Sequence, residues 1–172
     1  MNAGAAQQVS RFLEHLRLER RLSTHTIKSY RRDLECLSDF CSDESIADWP
    51  DLRDHQIRRF AAISHAKGLG GRSIQRRLSG ARSFFNYLIR ENLLQNNPAV
   101  DIRAPKSRKR LPETLDVDQI AHLMEVPGSD PVDLCDKAML ELLYSSGLRL
   151  AELVSLNIGQ INTADGTVRV TG

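Results

Sequence analysis

Four amphipathic helical patterns in the first half of the chain constrain its fold more than any other feature. In each pattern apolar side chains recur every three or four residues, which places them on one face of an α-helix. The apolar positions are Val9, Phe12, Leu13 and Leu16; Ile27, Tyr30, Leu34, Leu37 and Cys41; Ile57 and Phe60; and Ile74, Leu78, Ala81, Phe85 and Leu88. Ser23 is a good N-cap for the second helix, and the third is expected to end near Gly68. These patterns predict a compact four-helix bundle that buries the apolar stripes together.

The middle of the chain loses this periodicity. Residues 97–112 contain three prolines, and basic side chains lie between the last two. Proline and positive charge without an apolar stripe are typical of an extended linker. We therefore expect a helical domain over residues 1–96, a basic linker over 97–112 and a second domain over 113–172.

The second domain shows signals for both helices and a strand. Asp116 and Asp130 predict the starts of two helices, because a glutamine follows the first after three residues and a proline follows the second directly. An Asp-Gly pair at 165–166 predicts a turn, and residues 167–170 have the only convincing strand pattern. That strand has no predicted mate, which leaves its backbone hydrogen bonds open.

One arginine lies at a break between two helical patterns of the second domain. The first pattern runs to about Leu143, Gly147 suits a left-handed C-terminal cap, and a new apolar face begins at Leu150. Arg149 is therefore expected at a helix–helix corner with its guanidinium pointing outward, where a planar fork suits a pair of phosphate oxygens. The alternative from spacing alone is an ion pair with Glu152, three residues later.

Charge is unevenly distributed along the chain. Residues 1–110 hold 21 Lys/Arg and 12 Asp/Glu, whereas residues 111–172 hold 3 and 10. Such asymmetry is expected when one module follows a polyanion, although a solvated basic bundle would also show it.

Two predicted helix faces carry this positive charge opposite their apolar stripes. The face of the fourth helix carries Arg72, Arg76, Ser79, Ser83 and Arg90, and that of the second carries His25, Lys28 and Arg32. Such faces can bind DNA phosphates, and arginine can also bind guanine edges. Most charged helix faces only solubilise a protein, but this arginine-rich face has almost no acidic residue.

Other classes of site have no support in the sequence. Cys36, Cys41 and Cys135 are too few and too scattered for a disulfide framework, and no signal peptide or membrane-length apolar run occurs. No zinc-binding histidine spacing is present, and Gly68–Gly71 lacks the Gly-Lys-Ser/Thr of a phosphate loop. These features predict a cytoplasmic protein without a metal or nucleotide cofactor.

The stretch from Asp136 to Leu153 closely resembles the first arginine motif of the tyrosine recombinase (phage integrase) family, in its Xer subfamily. One departure is Cys135, where the Xer pattern usually has arginine. Three further regions resemble the same subfamily: Arg20–Leu34; Lys67–Ile74 with Arg82–Leu88; and Asn97–Pro98 with Ala104–Lys106 and Leu111–Pro112. Two of these stretches, Lys67–Gly70 and Arg82–Phe85, resemble one of the two paired Xer enzymes more than the other.

The resemblance implies a mainly α-helical fold. A SAM-like four-helix core-binding domain would be joined by the basic linker to the start of a mixed α/β catalytic domain, and together they would clamp DNA. It also implies site-specific recombination through a 3′-phosphotyrosyl intermediate, without ATP, metal or other cofactor, to resolve chromosome dimers. The implied partners are a double-stranded recombination site, a paired Xer recombinase in a tetrameric synapse and a DNA translocase, with no membrane.

The resemblance also suggests roles for individual residues. Arg149 would contact the scissile phosphate and stabilise charge on the phosphorus as the tyrosine attacks, with Glu152 in a supporting role. Residues expected to bind DNA are Thr24, His25, Lys28, Arg32, Arg72, Ser73, Arg76, Arg77, Lys106, Arg108 and Lys109.

The nucleophile of the family pattern has no counterpart here. In the family a lysine, a His-x-x-Arg box and a late tyrosine follow the arginine motif, and this sequence ends at Gly172. Tyr30, Tyr87 and Tyr144 lie in helical patterns and are expected to pack in or near the core. We therefore expect a clamp half that is inactive alone. The alternatives are a non-catalytic DNA-binding accessory protein and, with less support, a helical interaction module whose basic faces only solubilise it.

Overall fold

The structure, a computed structural model, describes residues 1, 3–106, 111 and 113–170. The chain divides into two compact units, Met1–Lys109 and Arg110–Gly172. The described residues of the first unit form four α-helices: α1 (Ala3–Leu18), α2 (Thr24–Asp43), α3 (Asp54–Ala66) and α4 (Gly71–Arg90). The described residues of the second form α5 (Val117–Met124), α6 (Pro131–Ser146), α7 (Leu150–Val154) and two short strands, β1 (Ile161–Asn162) and β2 (Thr167–Val168).

The predicted four-helix bundle is confirmed in the first unit. Ser23 caps α2, since its Oγ accepts a hydrogen bond from the Thr26 backbone N–H at 3.2 Å. α3 ends just before Gly68, whose φ of +87° is the left-handed conformation that glycine adopts without strain. The apolar stripes meet in one core, and its largest fully buried side chains include Phe12, Leu34, Leu37, Ile57, Ile74, Leu78, Phe84, Phe85 and Leu88.

A short segment between α2 and α3 completes this core. Trp49 begins a 3₁₀ turn (Trp49–Asp51) and is fully buried. Its ring packs edge-on against Phe84 with 5.0 Å between centroids, and its Nε1–H donates to the Ala5 carbonyl at 3.1 Å. The sequence pattern of this acidic loop did not indicate a core contribution, because one tryptophan has no periodicity.

The first part of the predicted linker is packed on the bundle rather than extended away from it. Ala99 and Ile102 are buried in the core of the first unit. Arg82 on α4 binds the backbone here, as its Nε donates to the Ala99 carbonyl at 2.9 Å and its Nη2 to the Ile102 carbonyl at 2.5 Å. The Asn97 side chain donates to the Arg82 carbonyl at 3.1 Å, which fixes the segment from the other side.

In the second unit the predicted helix starts are confirmed. Asp116 and Gln119 form a capping box at α5, with hydrogen bonds of 2.8 and 3.0 Å between each side chain and the backbone N–H of the other. The Asp130 carboxylate accepts two backbone N–H groups at the start of α6. α6 then ends at Gly147, whose φ of +64° is the left-handed cap conformation.

The expectation of a strand without a mate was wrong. β2 pairs antiparallel with β1, with Ile161 opposite Val168 and Asn162 opposite Thr167. Asn162 also shapes the connecting turn, because its side-chain oxygen accepts the backbone N–H groups of residues 164 and 165. β1 is only two residues long, which is too short to show the alternation that identifies a strand in a sequence.

The apolar faces of the second unit are largely exposed. Leu153 is its one buried apolar side chain among the described residues, at 8% exposure. Tyr144 is exposed, so the expectation that it packs in or near a core was wrong, whereas Tyr30 and Tyr87 of the first unit are half-buried as predicted. The exposed apolar side chains of this unit include Leu115, Val117, Leu123, Val132, Leu134, Leu150, Val154 and Ile158.

Candidate DNA interface and the Arg149 corner

The first turns of α2 carry a set of exposed polar and basic side chains. Thr24, His25, Lys28 and Arg32 are all exposed. The last three follow one another at intervals of three and four residues, so they share one face of the helix. Thr24 opens the helix, where backbone N–H groups and the helix dipole favour an anion such as phosphate.

The start of α4 presents a second exposed set. Arg72 and Ser73 lie in its first turn and are exposed, and Gly70 at the N-cap provides no side-chain cap. α4 packs closely on α2, because a side-chain carbon added at Gly80 would lie 3.3 Å from the Tyr30 ring. This contact lies in the middle of α4, nine residues after its first residue.

Arg76 of α4 contacts α2, and it is placed differently from the prediction. Its side chain is 39% exposed, and its Nη2 donates to the Asp33 carboxylate of α2 at 3.0 Å. The expectation that it lies directly opposite the apolar stripe was wrong, because its guanidinium contacts the buried Asp33 at the packed side of the helix. The ion pair puts Arg76 beside α2, next in space to the helical turn that carries Arg32.

Arg77 lies inside the bundle, so the DNA contact predicted for it has no geometric support. Its side chain is only 14% exposed. Nη1 donates to Ser64 Oγ at 2.9 Å and Nη2 to Cys36 Sγ at 3.7 Å, while the guanidinium lies 5.4 Å from the centroid of the Phe60 ring. These contacts come from α2 and α3, and they give Arg77 a packing role.

The C-terminal half of the predicted basic face is largely neutralised. Arg90 lies 3.2 Å from the Glu91 carboxylate and 3.9 Å from that of Glu19. A hydrogen bond from His15, more than the nearby arginine, holds the pKa of Glu19 below its usual value. Acidic residues that directly follow α1 and α4 therefore offset the charge of Arg90, and the first of them could not be found from the pattern of α4 alone.

Of the predicted linker cations, the structure describes one. Lys106 is exposed. Arg108 and Lys109 lie outside the described residues.

Arg149 forms the corner between α6 and α7 that the sequence predicts. It precedes α7 as the N-cap residue in an extended conformation, and its side chain is 84% exposed. The Arg149 side chain donates to one oxygen of Glu152 at 2.8 Å, and its backbone N–H donates to the other at 2.8 Å. The ion pair considered as the alternative is therefore present, and it occupies one edge of an otherwise exposed guanidinium.

Glu152 is held in its charged form by this corner. The hydrogen bond from the Arg149 backbone N–H, followed by the one from its side chain, lowers the pKa of the Glu152 carboxyl. The next residue, Leu153, is buried and anchors the short helix. Glu152 thus fixes the backbone from which the Arg149 side chain extends, consistent with a supporting role.

The described part of the chain has neither a metal-binding cluster nor a membrane-spanning helix. No group of three or more His, Cys, Asp or Glu side chains in it could hold a metal ion. No helix in it is long and apolar enough to cross a membrane.

Sequence reasoning missed Asp33, the acidic partner of the arginines on α4. Asp33 directly precedes Leu34 and lies three residues after Tyr30, at the edge of the apolar stripe of α2. An acidic residue at the border of a buried stripe needs a cationic partner, and this signal could have been used.

Two family models match the chain. The model "Phage integrase, N-terminal SAM-like domain" matches residues 9–92, and "Phage integrase family" matches residues 113–172. The first match lies within the first unit and the second within the second unit.

Curated relatives agree with the family models. The tyrosine recombinase XerC of Alcanivorax borkumensis is 49% identical over 168 residues, which cover 96% of this chain and 54% of that protein. XerC of Xanthomonas campestris is 43% identical, covering 95% of this chain and 51% of the relative, and XerC of Escherichia coli O157:H7 is 42% identical, covering 95% and 55%. The chain therefore spans about half the length of these relatives. XerC is also the Xer enzyme that the two stretches singled out above resemble more.

Solved structures show the same fold at lower identity. The Tn1549 transposon integrase in complex with circular intermediate DNA superposes with a TM-score of 0.69 at 18% identity, covering 95% of this chain and 53% of that one. The integrase of mycobacterium phage Brujita gives a TM-score of 0.54 at 20% identity, covering 99% and 55%. The mainly helical fold with a SAM-like first domain, expected from the sequence, is thereby confirmed.

Proposed function

The chain belongs to the phage integrase family, and on that premise we propose that it is the DNA-clamping half of a site-specific tyrosine recombinase. The observation that carries the proposal is a set of exposed cations on α2 and α4. Lys28, Arg32 and Arg72 are exposed and form no ion pair with any described residue. Unpaired cations on exposed helix faces suit the phosphates of a DNA backbone.

The first unit would position the DNA and the second would act on it. Phosphate contacts fix the register of a protein on a duplex without reading its sequence, and this is the role proposed for Thr24, His25, Lys28, Arg32 and Arg72. Ser73 would add a hydroxyl contact at the same helix start. Arg76 and Lys106 are the other described cations that would reach the backbone.

Arg149 would stabilise the reacting phosphate. A guanidinium has five N–H donors in a planar fork, and Glu152 engages one edge of that fork. The other donors of the exposed side chain remain to bind the non-bridging oxygens of the scissile phosphate. Because Glu152 also fixes the Arg149 backbone, the charge is preorganised, which is how electrostatic stabilisation of a transition state avoids a reorganisation cost.

The complete recombinase would cut and rejoin DNA through a 3′-phosphotyrosyl intermediate. The attacking tyrosine would come from a longer parent protein, because the half-buried Tyr30 and Tyr87 belong to the bundle and Tyr144 lies on α6, five residues before Arg149. The phosphotyrosyl bond conserves the energy of the broken phosphodiester, so the exchange would need neither ATP nor metal.

The proposed biological role is the resolution of chromosome dimers before cell division, in the cytoplasm. The enzyme would act at a double-stranded recombination site with a paired Xer recombinase in a tetrameric synapse, together with a DNA translocase. The identity to XerC proteins supports this role. The cytoplasmic location rests on that identity and on three free cysteines.

Binding of the 172-residue chain to a fluorescent duplex, measured between 50 and 200 mM salt, tests the DNA-clamping function. About four phosphate contacts predict an affinity loss of roughly 100-fold over this range. Affinity that does not change with salt would contradict the proposal and favour a helical interaction module.

A nicked suicide duplex tests the expectation that this chain does no chemistry alone. We expect binding without a covalent protein–DNA adduct on a denaturing gel. A covalent adduct would contradict the expectation that none of the tyrosines of this chain is the attacking nucleophile. Salt-dependent binding together with a longer parent that also forms no adduct would support the alternative, a non-catalytic DNA-binding accessory protein.

A further inference from the structure

A single buried carboxylate faces two guanidiniums at the contact between α2 and α4. Asp33 is only 2% exposed. Its Oδ1 lies 3.0 Å from Arg76 Nη2 and 3.5 Å from Arg77 Nε. Asp33 Oδ2 and the Nε atoms of both arginines have no hydrogen-bond partner among the residues that the structure describes. One carboxylate is thus shared by two cations, neither of which uses its full hydrogen-bonding capacity on it.

The two arginines differ in how firmly they are held. Arg77 is 14% exposed and is fixed by Ser64, by Cys36 and by the ring of Phe60, in addition to Asp33. Arg76 is 39% exposed, and Asp33 is its one hydrogen-bond partner within the described part of the chain. Arg77 is therefore a fixed counterion of Asp33, and Arg76 is one that can leave.

The departure of Arg76 would not leave a buried charge uncompensated. A buried carboxylate that loses its only partner is strongly destabilised, which normally prevents exchange. Here Arg77 would remain within 3.5 Å of the same oxygen. The unpartnered Nε of Arg77 could then strengthen its contact with Asp33 without any change in the packing around Phe60.

The exposed side chains nearby indicate what Arg76 would move toward. Arg32 is the residue before Asp33 on α2, and Arg72 lies one helical turn before Arg76 on α4. Both are exposed. A phosphate bound between these two helices would lie close to Arg76 and would compete with Asp33 for its guanidinium.

We propose that Asp33 is a positioning residue, which holds Arg76 at the bundle surface until a DNA phosphate takes it over, while Arg77 stays as the counterion of Asp33. This inference rests on the proposed function of the first unit in DNA binding. It assigns different roles to two adjacent arginines that have the same chemistry in the sequence. In this proposal Asp33 influences DNA binding through Arg76 and does not contact DNA itself.

The central test is the Asp33→Asn variant of the 172-residue chain, measured by duplex binding at several salt concentrations. The amide keeps an oxygen acceptor for Arg77 but removes the charge that competes with phosphate. We expect binding to tighten by roughly two- to fivefold, the range of a half-exposed ion pair that no longer has to be broken. The salt dependence should stay unchanged, because the number of phosphate contacts stays the same.

The matched control is Glu35→Gln, which removes one exposed carboxylate from the same helix. A general gain of positive charge would make both variants bind more tightly by the same factor, and this would overturn the inference. The decisive comparison adds Arg76→Ala to each. If Asp33 acts through Arg76, the gain from Asp33→Asn disappears in the Arg76→Ala background, whereas a gain that persists there contradicts the proposal.

Stability measurements keep the proposal testable if Asp33→Asn fails to fold. Arg76→Ala should melt close to the unchanged protein, since Arg77 still pairs with Asp33. Arg77→Ala should melt at a clearly lower temperature, since Asp33, Ser64 and Phe60 all lose a contact. Equal losses in the two variants would contradict the assignment of a movable and a fixed arginine.

The outcomes also separate this inference from the proposed function. Failure of the unchanged protein to bind DNA would overturn both. Salt-dependent binding by the unchanged protein, with no coupling between Asp33 and Arg76, would overturn the role of Asp33 alone.

Discussion

The two units of this chain have similar amphipathic helices but bury very different parts of them. In the first unit α1, α2, α3 and α4 enclose a continuous core that includes Trp49 and Phe84. In the second, α5, α6 and α7 leave most of their apolar side chains exposed, and Leu153 is the single buried one among the described residues. An apolar stripe stabilises a fold only when another face covers it. We therefore expect the first unit to be stable by itself and the second to be only marginally so.

The largest expected difference between the units is in cysteine reactivity. Burial raises the pKa of the Cys41 thiol to about 12, whereas Cys135 on α6 is exposed. Because the thiolate is the reactive form, alkylation at pH 8 should modify Cys135 more than about a thousandfold faster than Cys41. Mass spectrometry after timed quenching measures both rates. Similar rates would show that the first unit opens readily and would remove the contrast between the units.

The next largest effect is expected for loss of a core side chain. Phe84 is fully buried in the first unit, whereas Val132 is exposed on α6. Phe84→Ala should lower the free energy of unfolding by about 3–5 kcal/mol, and Val132→Ala by less than about 0.5 kcal/mol. Urea denaturation followed by circular dichroism compares the two. A large loss for Val132→Ala would mean that the second unit is covered in solution.

A smaller effect is expected for one DNA-binding side chain of the first unit. Arg72→Gln should weaken duplex binding by about five- to tenfold and reduce the salt slope by about one, because one phosphate contact is lost. Arg58→Gln on α3 is the control, since Arg58 is also exposed but lies on a different helix, 3.9 Å from the carboxylate of Asp54. The control variant should bind the duplex with unchanged affinity. An equal loss of affinity in both variants would show that binding depends on total positive charge and not on the position of Arg72.

Arg149→Ala tests the second unit in the same assay. Arg149 is proposed to contact the reacting phosphate rather than to supply affinity, so binding should change by less than about twofold. In a complete recombinase the same substitution should abolish strand cleavage. Cleavage at the normal rate would remove Arg149 from the reacting site.

The smallest effect is the pH response of the Arg149 corner. The folded structure lowers the pKa of Glu152, so its contribution to stability is present above the unfolded pKa of about 4.3 and is lost as the pH falls through the lower folded value. The NMR signal of the Arg149 backbone N–H should report this loss as a titration at acidic pH. Glu152→Gln keeps an oxygen acceptor but cannot titrate, so the same signal should then stay constant.

Helix caps and helix ends were predictable from the sequence because each depends on residues of a single helix. Ser23, Asp116 and Asp130 cap helices as predicted, and Gly147 ends α6 in the left-handed conformation. Each of these features depends on backbone groups within four residues, so the sequence around it contains the whole interaction.

Features that depend on contacts between elements were predicted poorly. Arg76 and Arg77 were both expected to bind DNA, but Asp33 of the neighbouring helix lies beside both of them. Ser64 and Phe60 of α3 also enclose Arg77. Ala99 and Ile102 were assigned to an extended linker, but Arg82 binds their carbonyls. These contacts join residues that are 13 to 44 positions apart in the sequence. The periodicity of a single helix cannot predict contacts over such separations.

The sequence by itself determined the helical bundle, the helix ends and the arginine corner, because helical periodicity and capping are local consequences of the backbone. Only the tertiary structure decided which charged side chains are available. Whether an arginine contacts solvent, a carboxylate or a ring depends on the side chains of the neighbouring helix. A buried charge without a partner strongly destabilises the fold, so a buried arginine requires such a contact. Arg72 and Arg77 lie on one helix, but the first is exposed and the second is enclosed. The enclosed arginine is tolerated because Asp33 of the neighbouring helix lies beside it.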